Sequence, residues 1–253
     1  MVYYLGPEGL PSDGFTRCTA QDIKDYCSKQ AVLGVDTETE GLDFLSKKLI
    51  MFQIGDAKNQ YVIDTRVYSI DFLKEILESR KILKIFHNVK FDYKFIKQWA
   101  GITCENIYDT MIAEKVINCG RQNKSYSLTS LTDLYCGVSL DKEVRNKFVG
   151  MTGEPFTKYQ IVYGARDVEY LPIIRDNQMI QITNHKLENT LILENQASLA
   201  FADIEFNGID LDLEKWDEIS DLSGEEAFKI MAKLDHYIAV SYTHLTLPTI
   251  CSV

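Results

Sequence analysis

The chain has 253 residues, 45% of them hydrophobic and 25% charged, with a formal net charge of −10 at pH 7. That length holds one substantial core, or one core and the start of another, and no apolar run reaches the length of a membrane span, so no membrane role is expected. An acidic chain cannot grip nucleic acid by broad phosphate neutralisation, so any such chemistry needs a local site, with bound cations.

The N-terminal stretch MVYYLGPEGLPSDG has neither the basic start nor the apolar run of a secretory signal. Cys18, Cys27, Cys104, Cys119, Cys136 and Cys251 are scattered and contain no C-x-x-C pair, which argues against a zinc site or a disulfide framework and for a reducing, cytoplasmic location. Residues 1–30 read as an N-terminal extension. Three short β-rich runs follow at 31–37, 48–55 and 60–64, separated by turn-prone stretches. IDFLKEILESR then has helical period, ILKIFHN is an apolar run, and FDYKFIKQWA is a second helix stopped at Gly101.

From Asp109 the pattern turns helical: DTMIAEKVIN, then SLTSLTDLYC stopped at Gly137, then a long helix from about Thr157 toward Asn177, kinked by Pro172. Strands in series, followed by alternating strands and helices, predict an α/β fold: a mixed sheet flanked by helices, followed by a short helical fragment. The expected main domain is 31–184, with a helical segment at 185–239. The stretch VSYTHLTLPT corresponds to a translated transposase-type sequencing adapter, so residues 240–253 are expected not to be native protein.

Carboxylates carry the chemistry. Asp36 and Glu38 stand two apart on an otherwise apolar strand, hence on one side of it. Two such charges repel and are partly desolvated, a conflict that a hard divalent cation removes; the alternative is a solvated strand end running into the acidic turn with Glu40 and Asp43. Asp92 projects among Phe95, Ile96 and Trp99 on its helix, while Lys90, Lys94 and Lys97 project to the far side as a solvated face. It either occupies the core-facing surface or stays wet in the first helical turn. Asp167 projects among Tyr163, Tyr170, Leu171 and Ile174, with Tyr163 one turn before it; that tyrosine either serves chemistry or simply hydrogen-bonds to the acid.

Together, DTE, HNVKFD and YGARD resemble, in order and spacing, the three motifs of DEDD-type 3′-5′ exonucleases of the tyrosine subgroup. In the histidine subgroup a base would stand where Val162 is. The resemblance runs from about Ala31 to Asp176 and implies a ribonuclease-H-like fold with two divalent ions, Mg²⁺ or Mn²⁺, held by Asp36, Glu38, Asp92 and Asp167. It further implies that Asp36 bridges the ions, that Glu38 helps position the attacking water and that Tyr163 orients it. Asn88 is either a contact to the terminal nucleotide or the cap of the following helix.

Beyond His185, LENTLILENQASLAFADIEFNGIDLDLEKWDEIS resembles the segment joining the proofreading domain of family A DNA polymerases to the polymerase body. This implies a DNA exonuclease acting on single-stranded 3′ ends, from a bacterial or phage source, with a C-terminal polymerase domain absent from this chain. A ribonuclease-D-like RNA exonuclease shares the motifs but would continue into a more basic helical domain. A third reading is a non-catalytic docking module, against which the intact acids speak.

Overall fold

The computed structural model describes residues 1–8, 14–119, 124–139, 148, 150–151 and 153–241. The adapter-like stretch lies outside these from residue 242 onward. Contacts divide the chain into two units, Met1–Phe206 and Asn207–Val253.

In the first unit, β1 (Val2–Leu5), β2 (Thr16–Arg17) and α1 (Ala20–Cys27) precede β3 (Val32–Thr39), β4 (Leu49–Gly55) and β5 (Gln60–Asp64). A 3-10 turn and the four-residue α2 (Lys74–Leu77) lead to β6 (Leu83–Phe86), α3 (Val89–Ala100) and β7 (Ile107–Asp109). Then come α4 (Thr110–Ile117), α5 (Leu128–Cys136), α6 (Lys158–Glu169), α7 (Leu171–Asn184) and α8 (Glu188–Asn207). The second unit contains the 29-residue α9 (Leu213–Ser241).

The three strands expected from sequence are β3, β4 and β5, and they are neighbours in a seven-stranded sheet of order β2-β1-β5-β4-β3-β6-β7. Only β4 runs against the others: it pairs antiparallel with β3 and β5, and the remaining pairs are parallel. This is a mixed sheet flanked by helices, and residues 2–5 and 16–17 add two strands to it. The carboxyl ends of β3, β6 and β7 therefore meet at one edge, the usual location of a ligand crevice in an open α/β sheet.

On one face Leu33, Val35, Phe52 and Ile63 pack with Ile23 of α1 and with Tyr93, Phe95 and Ile96 of α3. On the other, Tyr4, Ile50, Met51 and Val62 pack against Ile161 and Ala165 of α6. Each such side chain, fully buried, contributes about 1.5–3 kcal/mol. Helix α6 starts in a capping box, Thr157 with Gln160.

Two expectations change. The long helix to Asn177 is two helices, α6 and α7, which break at Tyr170. Pro172 stands in the first turn of α7, where a missing N–H costs nothing, so it starts a helix instead of kinking one. The period of IDFLKEILESR yields only a 3-10 turn and one α-helical turn, although its apolar positions Ile70, Leu73, Ile76 and Leu77 are buried in the core as the period predicts.

Candidate active site

β3 carries Asp36 and Glu38 toward its carboxyl end, and its register with β4 shifts between Glu38 and Thr39. A bulge there bends the strand just past the two acids. Helix α6 crosses the same face very closely. A Cβ on Gly164 would lie 2.6 Å from Gln53 Nε2, and one on Gly34 would lie 2.8 Å from the Val168 carbonyl oxygen. This approach delivers Asp167, so that one oxygen from each of Asp36, Glu38 and Asp167 lies within 4.8 Å of the others.

Asp92 arrives from the opposite layer, in the first turn of α3, and is 2% exposed. It is the core-facing acid, not the wet one. Thr37, pointing away from Asp36 and Glu38 along β3, donates its hydroxyl to Asp92 Oδ1 at 2.5 Å. Burial, then the nearby Asp36 charge, hold the Asp92 carboxyl well above the usual carboxylate range, against the pull of the Thr37 hydroxyl. Asp92 is not in the tight trio but lines the same cleft.

That cleft has a volume of about 700 Å³ and is also lined by Tyr163, Asn88, His87, Phe91, Met111 and Lys115, and by residues 126–129. All the site residues expected from sequence thus border one cavity. Asn88 begins α3 with a left-handed backbone, φ 69°, and its side chain makes no capping bond, so of its two readings the cap is not observed. His87 Nδ1 lies 2.9 Å from Thr110 Oγ1, and that hydroxyl donates to the Phe86 carbonyl. The Tyr163 ring packs 6.2 Å from that of Phe148.

The lysines of α3 are not a solvated face. Lys90 and Lys94 pair with Glu205, and Lys97 pairs with Asp203 at 2.5 Å, all on α8. Asp203 also accepts from Tyr93 at 2.8 Å, so these cations fasten α8 to α3. Lys115 is instead the one cation lining the cleft among the described residues, and its ammonium lies 5.9 Å from the Tyr126 ring centroid.

Hard carboxylate oxygens at this spacing fit a hard divalent cation, and three acids so close conflict without one. No helix among the described residues is long and apolar enough to cross a membrane.

An acid-lined crevice at the carboxyl edge of such a mixed sheet is a place where divalent cations and an anionic substrate can meet. Residues 16–183 match the family model described as 3′-5′ exonuclease, and the chain belongs to that family. It is 29% identical over 202 residues to DNA polymerase I of Aquifex aeolicus, covering 72% of this chain and 33% of that protein. It is 28% identical over 158 residues to ribonuclease D of Sphingobium indicum, covering 60% and 39%. The chain thus spans between a third and two fifths of the length of these curated relatives. The solved structure of Brucella melitensis NrnC with bound Mg²⁺ superposes with a TM-score of 0.65 at 18% identity, covering 83% of this chain and 96% of that one, which is a likeness of fold.

Proposed function

We propose that the chain removes mononucleotides from the 3′ end of single-stranded DNA, as the proofreading part of a polymerase of the family A type in a bacterial or phage-infected cell. The observation that carries this reading is the convergence of Asp36, Glu38 and Asp167 oxygens within 4.8 Å, in a cleft that Asp92 and Tyr163 also line.

Asp36, Glu38, Asp92 and Asp167 would hold two ions, Mg²⁺ or Mn²⁺. Ions held there would supply an activated water and stabilise the leaving oxygen. The Tyr163 hydroxyl orients the attacking water. Asn88, its amide not engaged in capping, holds the terminal nucleotide. Phe91 and Met111, which line the same cleft, give that nucleotide an apolar wall, and Lys115, also on its lining, meets a phosphate of the strand.

A ribonuclease-D-like action on RNA is the second reading, favoured by the 28% identity to a ribonuclease D. The DNA reading has the longer match, 202 residues against 158, and residues 185–239 are acidic on balance, unlike a basic RNA-binding extension. Initial rates on single-stranded DNA and RNA of one sequence, with Mg²⁺, test the choice. Faster DNA hydrolysis is expected, and preferential RNA hydrolysis would reverse it.

A further inference from the structure

Helix α3 is capped from elsewhere in the chain. Its N-cap residue Asn88 provides no side-chain bond, yet the first N–H groups of a helix need an acceptor. Asp109, twenty-one residues on, supplies it: Oδ1 accepts from Asn88 N at 3.1 Å and Oδ2 from Val89 N at 2.7 Å. The same carboxylate caps α4, with Oδ1 accepting from Met111 N at 2.8 Å and Ile112 N at 3.2 Å. Asp109 is 1% exposed, and its own N–H is held by Asn195 Oδ1 of α8 at 3.2 Å.

One buried carboxylate therefore fixes the starts of two helices through four charge-assisted bonds, the strong kind. Both helices present cleft residues close to the capped end: Asn88, Phe91 and Asp92 on α3, and Met111 on α4. Asp92 must meet acids that come from β3 and α6, on other elements, so a slip of α3 along its axis separates it from them. A misplacement of about 1 Å can cost on the order of a hundredfold in rate.

We infer that Asp109 is a positioning residue of this site, setting Asp92 against Asp36 and releasing the Asn88 amide to the substrate by capping α3 in its place. The inference rests on the proposed roles of Asp92 and Asn88.

Asp109→Ser separates the two duties, because a serine hydroxyl can still cap α4 locally but has no second oxygen for Val89. Calorimetric titration of the full chain with Mn²⁺, with thermal unfolding alongside, compares it with the wild type and with Thr19→Ala. The latter removes the side-chain cap of α1 and touches no cleft residue.

Mn²⁺ affinity is expected to fall about tenfold or more in Asp109→Ser, the size of effect seen when the support of a metal ligand is lost, and to be unchanged in Thr19→Ala. Wild-type affinity in Asp109→Ser overturns the inference. If Asp109→Ser does not fold, Asp109→Asn, which turns an amide N–H toward a backbone N–H, is judged by the same criterion.

For Asn88, the Asn88→Ala change should raise KM in the wild type and add little in Asp109→Ser, whereas additive effects overturn its part. A wild type that binds Mn²⁺ but cleaves no nucleic acid, with affinity lost in Asp109→Ser, upholds the positioning relation and removes the exonuclease reading. A wild type that binds no Mn²⁺ overturns both.

Discussion

Gly34 lies so close beneath Val168 that a methyl group on its Cα would stand 2.8 Å from the Val168 carbonyl oxygen. The neighbour is backbone, one residue beyond Asp167, and cannot swing aside, so Gly34→Ala must lift α6 from β3. The expected cost is about 1–3 kcal/mol of stability, measured by urea unfolding, with a loss of exonuclease rate larger than that stability loss explains. Gly164→Ala is expected to be milder, because its nearest neighbours, Gln53 Nε2 and Met51 Sδ, belong to the outer part of flexible side chains and not to backbone.

Tyr163 lines the cleft and is assigned the orientation of water, a duty of its hydroxyl alone. Tyr163→Phe keeps the ring that packs near Phe148. Steady-state kinetics should show kcat lowered by roughly a hundredfold, at the lower end of proton-handling effects, with the melting temperature and Mn²⁺ affinity held. An unchanged kcat would make the tyrosine a packing residue.

Among the described residues lining the cleft, Lys115 is the cation beside acids and neutral side chains. Lys115→Ala should raise KM for oligonucleotides with little change in kcat. The dependence of log KM on log salt should flatten by about 0.7, the single-strand value for one lost phosphate contact. An unaltered salt slope would remove Lys115 from the substrate path.

Lys84, on β6, is fully buried and donates to the Ile82 carbonyl at 2.8 Å. Burial lowers its pKa from 10.5 to about 8. Below pH 8 both folded and unfolded chains carry the proton and the full cost of the buried charge is present. Between about 8 and 10.5 the unfolded chain binds more protons, so this group makes stability rise with pH across that window. Denaturant unfolding of wild type and Lys84→Met from pH 7 to 10.5 should show their difference moving in favour of the wild type; a constant difference would refute it.

The parts of this molecule written in local pattern were legible in the sequence. Asp36 and Glu38 share a face because strand alternation is local, and Asp92 interrupts an apolar helical stripe that any projection displays. The stops at Gly101 and Gly137 are the observed C-caps of α3 and α5. What depends on distant partners was not legible.

β1 and β7 are too short to show a period, and they exist because β5 and β6 offer edges to pair with. Lys90, Lys94 and Lys97 read as a wet face because their acids lie more than a hundred residues away. Asp109, directly before a helix, carries the signal of an ordinary N-cap. Nothing near it in the chain announces that it caps a second helix as well.

In the proposed function, four acids from β3, α3 and α6 form a site for stepwise hydrolysis from a 3′ end. A time course on 5′-labelled single-stranded DNA with Mg²⁺, run for the wild type and Asp36→Ala, tests it most directly. The expected result is a ladder shortening one nucleotide at a time in the wild type and intact substrate in Asp36→Ala. Internal cleavage, no product from the wild type, or an undiminished ladder from Asp36→Ala would contradict it.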